Sequence, residues 1–312
     1  MRPVLAVPAS LGLLGAATFA YAAGYERHAF RLREVPVPVL PPGVPDIRLL
    51  HLSDIHMTPG QARKHDFVAG LAELAPDAVV VTGDNLSAPA GVPPMLSAFE
   101  PLLAFPGAFV LGSNDYYAAR PKNPFKYFFA NHKRVHGVEN PWRDLVAGMT
   151  GAGWCDLTNR RTTLKLRSGV TVEVAGVDDP HLRRDDLSVA DAPVDPAYPL
   201  HLALVHAPEP RALDRFAAAG FDLMLCGHTH GGQLRLPGYG AIVTNCGIDR
   251  ARARGLSRYD RAWLHVSPGL GTSPYAPVRF ACRPEATLLH LTARAPNYDR
   301  SCPPARTAAV TE

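Results

Sequence analysis

The sequence predicts an α/β fold, and two observations carry that prediction. Five short apolar runs each close in a polar loop, as buried strands do where they leave a sheet. Stretches with helical periodicity lie between several of them, and strands alternating with helices are the pattern of α/β sheets.

Taken in chain order, the first element is an uncharged run. No charged residue occurs between Arg2 and Glu26. As a helix, Pro3 to Tyr25 reaches roughly 34 Å at about 1.5 Å per residue, against a hydrocarbon core of about 30 Å. Residues 1–25 are therefore expected to be a transmembrane anchor. A cleavable signal segment is the rival, because Ala20-Tyr21-Ala22 fits the small-residue cleavage pattern. The anchor predicts a cell-membrane protein with one N-terminal span. Arg27, Arg31 and Arg33 after the run would keep the domain cytoplasmic, whereas a signal peptide would place it outside, so sidedness stays open.

Residues 26–46 carry prolines at 36, 38, 41, 42 and 45 and read as a stiff extended linker, with an edge strand leading into the fold as the alternative. The domain itself is expected over 47–292. Its strands are Ile47 to Leu52, Ala78 to Val81, Ala108 to Leu111, Leu202 to Val205 and Leu223 to Cys226. Helices are expected over Ala62 to Leu74, Pro94 to Leu103 and Pro208 to Ala219. Thr162 to Val177 alternates apolar and polar residues around Ser168-Gly169, which predicts a hairpin. The hairpin and a late strand near Ala286 to Leu291 are assigned to a second sheet. From 293 to 312 the chain turns polar and proline-containing and reads as a flexible tail.

Composition excludes some functions. A net charge of +4, with no helix or face collecting the Lys and Arg, argues against a nucleic-acid partner. Five cysteines without a CxxC pair match neither a disulfide framework nor a zinc finger.

The strand ends hold the chemistry. They present Asp54 and His56, then Asp84, then Asn114, then His206, then His228 and His230. A lone Asp after a strand is usually a turn former and a lone His usually a satisfied neutral residue. Seven metal-capable side chains at successive strand ends are a different matter, because carboxyl ends of α/β strands converge on one crevice. Mixed carboxylate and imidazole donors suit Mn, Fe or Zn better than the all-oxygen shells of Ca or Mg.

These segments resemble the calcineurin-like metallophosphoesterases. The resemblance rests on Ser53-Asp54-Ile55-His56, Thr82-Gly83-Asp84, Gly112-Ser113-Asn114-Asp115, Val205-His206 and Gly227-His228-Thr229-His230-Gly231-Gly232-Gln233. The first pair and the GHTHGGQ block are the specific signals. With Gly238 and Arg283-Pro284-Glu285 downstream, the chain looks most like a membrane-associated, YkuE-like branch. The resemblance implies a four-layer α-β-β-α sandwich behind the membrane helix. It also implies two divalent ions, one on Asp54, His56 and His230 and one on Asn114, His206 and His228, with Asp84 bridging. The implied activity is hydrolysis of a phosphomonoester, phosphodiester or pyrophosphate by a metal-bridging hydroxide. The anchor adds the expectation of a membrane-associated or lipid-linked substrate. A metal-binding protein with little turnover is the alternative.

One motif departs from the family. Where the family reads Gly-Asn-His-Asp or Gly-Asn-His-Glu, this chain reads Gly112-Ser113-Asn114-Asp115. An amide oxygen is a better ligand than a Ser hydroxyl, so Asn114 is preferred as the ligand, with Asp115 where the family's leaving-group His would stand. Asp115 is then a candidate proton donor, with His51 or His181 as possible substitutes. Val177 to His181 reads as an acidic turn, and Tyr116 to Trp142 as a basic, aromatic excursion that is either a lid or a helical cover.

Overall fold

The computed structural model of the chain describes residues 6–121 and 136–295. In chain order the elements begin with α1 (Ala6–Ala20), β1 (Arg31–Leu40), β2 (Ile47–Leu52), α2 (Ala62–Gly70), β3 (Ala78–Val81), α3 (Val92–Phe99), β4 (Gly107–Phe109) and α4 (Ser113–Tyr116). They continue with α5 (Trp142–Gly151), β5 (Cys155–Asp156), β6 (Arg160–Lys165), β7 (Thr171–Gly176), β8 (His201–Val205), α6 (Pro210–Ala219) and β9 (Leu223–Cys226). A small hairpin of β10 (Arg235–Leu236) and β11 (Gly240–Ala241) precedes β12 (Gly255–Tyr259), β13 (Ala262–Val266) and β14 (Glu285–Ala293).

Two six-stranded sheets form, in the orders β1-β14-β2-β3-β4-β5 and β12-β13-β9-β8-β7-β6. Strands such as Ala78–Val81 and Leu223–Cys226 are buried at every position, because each sheet is covered on both faces and an uninterrupted apolar run suits that environment. Between the sheets pack Leu49, Val80, Val110, Val174, Leu204 and Leu225. On the outer face of the first sheet, Val79 and Val81 meet Met95 and Phe99 of α3 and Leu145 of α5. Against the second, Val205 and Met224 meet Leu213 and Phe216 of α6. This is the four-layer sandwich, and β6 and β7 form the expected hairpin within its second sheet.

The late strand is placed differently from expectation. β14 joins the first sheet, between β1 and β2, parallel to the former and antiparallel to the latter. Glu285 explains its fixed register: its buried carboxylate accepts from Arg31 Nε at 2.7 Å and Arg33 Nε at 3.0 Å. The proline-rich segment thus contributes β1, the edge of this sheet, where prolines lacking an N–H are tolerated.

The expected membrane span is not found. Among the described residues no helix is long and apolar enough to cross a membrane. α1 has 15 residues, which is about 22 Å at 1.5 Å per residue. The chain then leaves α geometry at Tyr21–Tyr25 because this stretch docks on the domain. Ala22 is buried and its carbonyl accepts from Arg279 N at 3.1 Å, and Tyr21 meets the ring of Phe280 edge-on at 6.4 Å. Glu26 is buried too, accepting from Cys282 N at 2.6 Å and Ala281 N at 3.1 Å. Membrane anchoring, the single-pass cell-membrane location and the membrane as a partner are corrected accordingly. The tail from 296 and residues 122–135 of the basic excursion lie outside the described residues.

Candidate metal centre

The loops after β2, β3, β4, β8 and β9 meet at one edge of the two sheets and bring the predicted residues together. Asp54, His56 and His230 form one group of donor atoms lying within 4.8 Å of one another, and Asp54, Asp84 and His206 form a second. His56 Nε2 stands 3.7 Å from Asp84 Oδ2, His206 Nε2 3.5 Å from Asp84 Oδ1, and His230 Nε2 3.6 Å from Asp54 Oδ1. Asp84 therefore lies between the groups, with one oxygen toward each.

Asn114 joins them at Asp84. Its backbone N–H donates to Asp84 Oδ1 at 2.7 Å, and its side-chain amide lies 2.6 Å from Asp84 Oδ2. His228 Nδ1 is 3.3 Å from His206 Nε2. All seven side chains thus share one centre, and each carboxylate and imidazole except that of His230 is almost fully buried.

The imidazoles are oriented by what their outer nitrogens touch. His206 Nδ1 lies 2.6 Å from Thr82 O, His230 Nδ1 3.1 Å from Gly271 O, and His228 Nε2 3.2 Å from Asn245 O. A carbonyl can only accept, so each of those nitrogens carries the hydrogen, and in the neutral ring the inner nitrogen presents its lone pair to the centre. His56 Nδ1 is held by Ser87 Oγ at 2.9 Å. The inner nitrogens of His56 and His230 then face each other at 3.2 Å. With His56 Nδ1 donating to Ser87 Oγ, both inner nitrogens present lone pairs, an arrangement that a cation between them relieves. Two nitrogens each about 2.0–2.1 Å from a shared ion lie roughly 2.9–3.4 Å apart at octahedral or tetrahedral angles, so the donor set fits a metal.

Electrostatics agree. Burial lowers His56 to about 4 and holds His230 well below the usual imidazole range, so both are neutral donors. Burial alone would raise Asp84 and lower His206, but their mutual attraction wins: Asp84 is held well below the carboxylate range and His206 well above the imidazole range. That proton on His206 is the one a divalent ion displaces on binding. Burial pushes Asp54 up to about 6, against the hydrogen bonds it accepts from Ser53 Oγ at 2.7 Å and His228 N at 2.9 Å.

Convergence strains the backbone. Asp54, His56, Asp84, His228 and His230 all have φ between 48° and 66°, a left-handed region that non-glycine residues enter at a cost of about 1–3 kcal/mol each. Glycines make the remaining room. A Cβ on Gly112 would lie 2.7 Å from His206 Cε1, and one on Gly227 would fall onto Ser53 Oγ and Asp54 Oδ2.

Asp115, the candidate proton donor, is engaged by backbone N–H groups. It is fully buried, and its two oxygens accept from the backbone N–H groups of Asp84 at 2.9 Å, Asn85 at 2.8 Å and Gly112 at 2.9 Å. It ties the β3 loop to the β4 loop. Burial and then the charge of Asp84 push its carboxyl up to about 7, while the N–H donors pull it down. His51 is out of reach, enclosed between the sheets with Nδ1 2.9 Å from His265 Nδ1 and Nε2 2.9 Å from Thr82 Oγ1. His181 does reach the site's margin, its ring centroid 4.4 Å from that of His228. The turn before it is built by Asp178, which accepts from Tyr116 Oη at 2.8 Å and pairs with Arg184 at 3.2 Å.

Several supporting groups escaped sequence reasoning. Lys64 is buried and donates to Ile55 O at 2.7 Å, bracing the Asp54–His56 loop. Arg279, wholly buried, donates to Pro268 O at 2.8 Å and Gly271 O at 2.7 Å and so fixes the carbonyl that orients His230. Asn245 does the same for His228 through its backbone. None of these lies in a motif, and a backbone carbonyl leaves no trace in side-chain identity.

Comparison with known proteins agrees with this geometry. The calcineurin-like phosphoesterase profile matches residues 47–232. The uncharacterized metallophosphoesterase YkuE of Bacillus subtilis (strain 168) is 26% identical over 283 residues, covering 88% of this chain and 89% of that protein. A bovine (Bos taurus) transmembrane protein with metallophosphoesterase domain is 29% identical over 94% of this chain, which spans 63% of that protein's length. Phosphodiesterase YaeI of Escherichia coli (strain K12) is 33% identical over 168 residues, 52% of this chain and 56% of that protein. The similarity supports the family and not a membrane-associated, YkuE-like branch, since the described residues include no membrane-spanning helix. Two adjacent Asp/His clusters suited to two divalent ions support a metal-dependent hydrolase. Because the profile spans more than half of its residues, the chain belongs to the calcineurin-like phosphoesterase family.

Proposed function

We propose that the chain hydrolyses a phosphomonoester, phosphodiester or pyrophosphate bond at this dinuclear centre. The lipid-linked substrate expected from the anchor is dropped with the anchor. In this reading Asp54, His56 and His230 hold one ion, Asn114, His206 and His228 hold the other, and Asp84 serves both. When bound, the two ions would acidify a water and neutralise charge on the phosphoryl oxygens. The protein's part is to hold the donors still. Thr82 O, Gly271 O, Asn245 O and Ser87 Oγ fix four imidazole planes, while the Asp115 carboxylate fixes the loops that carry Asp84 and Asn114.

The observation that carries this reading is the facing pair of inner nitrogens on His56 and His230, each locked by a partner on its outer side. The name of the similar E. coli protein, a phosphodiesterase, adds weight to diesters. With Asp115 spent on backbone N–H groups, that carboxyl is not the one to protonate a leaving group, so esters with acidic leaving groups should turn over best. The same observation favours the second reading, a metal-binding protein with little turnover.

The test uses the full chain loaded with Mn, Fe or Zn, assayed on nitrophenyl phosphate and bis-nitrophenyl phosphate, with Asp84→Asn as control. Metal-dependent hydrolysis lost in the control supports the phosphoesterase. Two ions bound per chain without turnover on either ester would select the second reading.

A further inference from the structure

Beside the metal centre, on the His228 side, lies a cavity of about 470 Å³ lined by residues 180–183 with His136, Glu209 and Arg211. It adjoins the centre through His181, which lines it and whose ring packs on that of His228. Its lining is polar and built. Asp179 caps the turn, accepting from His181 N at 2.8 Å, and Arg211 donates to Pro180 O at 3.2 Å and to Asp185 Oδ1 at 2.6 Å. Arg183 within this turn has φ 56°, a strained backbone for a non-glycine residue.

The cations of this turn differ in what they face. Arg184 pairs with Asp178 and lies over the ring of Tyr116, and Arg211 pairs with Asp185. Glu209 accepts from Gly247 N at 3.2 Å. Arg183 is exposed, and among the described residues its guanidinium has no ion pair or hydrogen bond. A guanidinium fork matches the oxygens of a phosphate group, with donors in the plane that such a group can accept from in pairs.

We propose that this cavity is a subsite for the leaving group, and that Arg183 recognises a second phosphate carried there, so that the preferred substrates are phosphoanhydrides or esters of phosphorylated alcohols. The inference rests on the phosphoesterase reading and narrows its substrate class. Arg183 acts as a specificity determinant and takes no part in bond breaking.

The experiment measures binding of two non-hydrolysable probes to the full, Mn-loaded chain by calorimetry: methylphosphonate, with one phosphoryl group, and methylenebisphosphonate, with two. Arg183→Gln should weaken methylenebisphosphonate about tenfold, the worth of one charge-assisted contact at a partly exposed site, and leave methylphosphonate unchanged. Arg183→Lys should recover part of the loss, because the charge remains and the fork does not. Equal effects on both probes, or an effect on neither, would overturn the subsite. A parallel assay on nitrophenyl phosphate, whose leaving group is uncharged by any second phosphate, separates the two claims. Wild-type inactivity there strikes the phosphoesterase reading, whereas activity without a bisphosphonate preference strikes only the subsite.

Discussion

Replacing Asp115 by Asn separates a structural carboxylate from a catalytic acid. Oδ2 of Asp115 accepts from the N–H groups of Asp84 and Gly112, and Oδ1 accepts from that of Asn85. An amide offers one acceptor oxygen, so its NH₂ must face at least one of these donors, and with Oδ2 replaced it faces two. Each buried N–H left unpaired costs about 1–3 kcal/mol, which puts Asp115→Asn at roughly 2–6 kcal/mol for two donors. At about 2–4 °C per kcal/mol the melting temperature should fall by roughly 4–24 °C. The released donors belong to the loops that place Asp84 and Asn114, so activity should fall by the same factor on a nitrophenyl ester and on an alkyl ester. Calorimetric melting and parallel kinetics on the two esters measure both effects. A variant that melts like wild type and loses activity only on the alkyl ester would refute this reasoning and restore Asp115 as the proton donor.

Other perturbations probe separate links in the argument. Gly227→Ala drives a Cβ onto Ser53 Oγ and Asp54 Oδ2, and overpacking of this kind costs about 1–3 kcal/mol; metal content by elemental analysis should drop together with the melting temperature. Chelation should lower the melting temperature reversibly, since an ion at a free concentration 100 times its Kd stabilises by about 2.7 kcal/mol; a melting curve indifferent to both chelator and Mn would argue against the centre. His201 offers a test by pH. Burial opposes its protonation, but the 2.6 Å contact with Asp222 and the carbonyl of Asp195 prevail and raise its pKa above the ordinary value. A raised pKa means that the pair's stabilisation is complete below about pH 6.5 and is lost as pH climbs through the folded value. Denaturant unfolding of His201→Gln should therefore show its largest deficit near pH 6 and a smaller one near pH 8.5; a deficit that grows with pH would reverse the assignment.

The residues at the strand ends were legible in the sequence because they obey a local rule. A buried strand such as Ala78–Val81 must be apolar throughout, so Thr82-Gly83-Asp84 stands out where it ends, and the same holds for His206 after β8 and His228 after β9. Asp54, His56, Asp84, Asn114, His206, His228 and His230 could accordingly be named, and the structure brings them to one edge. Position in a sheet obeys no such local rule. β14 reads like any half-buried strand, and its place between β1 and β2 depends on Arg31 and Arg33 meeting Glu285 across more than 250 residues.

The N-terminal run shows the opposite failure. Apolar length from Pro3 to Tyr25 is visible in the sequence, but what its C-terminal end meets is a tertiary matter: Ala22, Tyr21 and Glu26 contact residues 279–282. By itself, then, the sequence determined the α/β pattern and the order of the metal-capable residues at the strand ends, because strand burial and metal chemistry each restrict residue type at single positions. Only the tertiary structure decided the order of strands in the first sheet, the docking of the N-terminal segment, and the hydrogen bonds of Asp115. Those outcomes turn on which backbone N–H and C=O groups find partners across the fold, and every residue carries the same backbone.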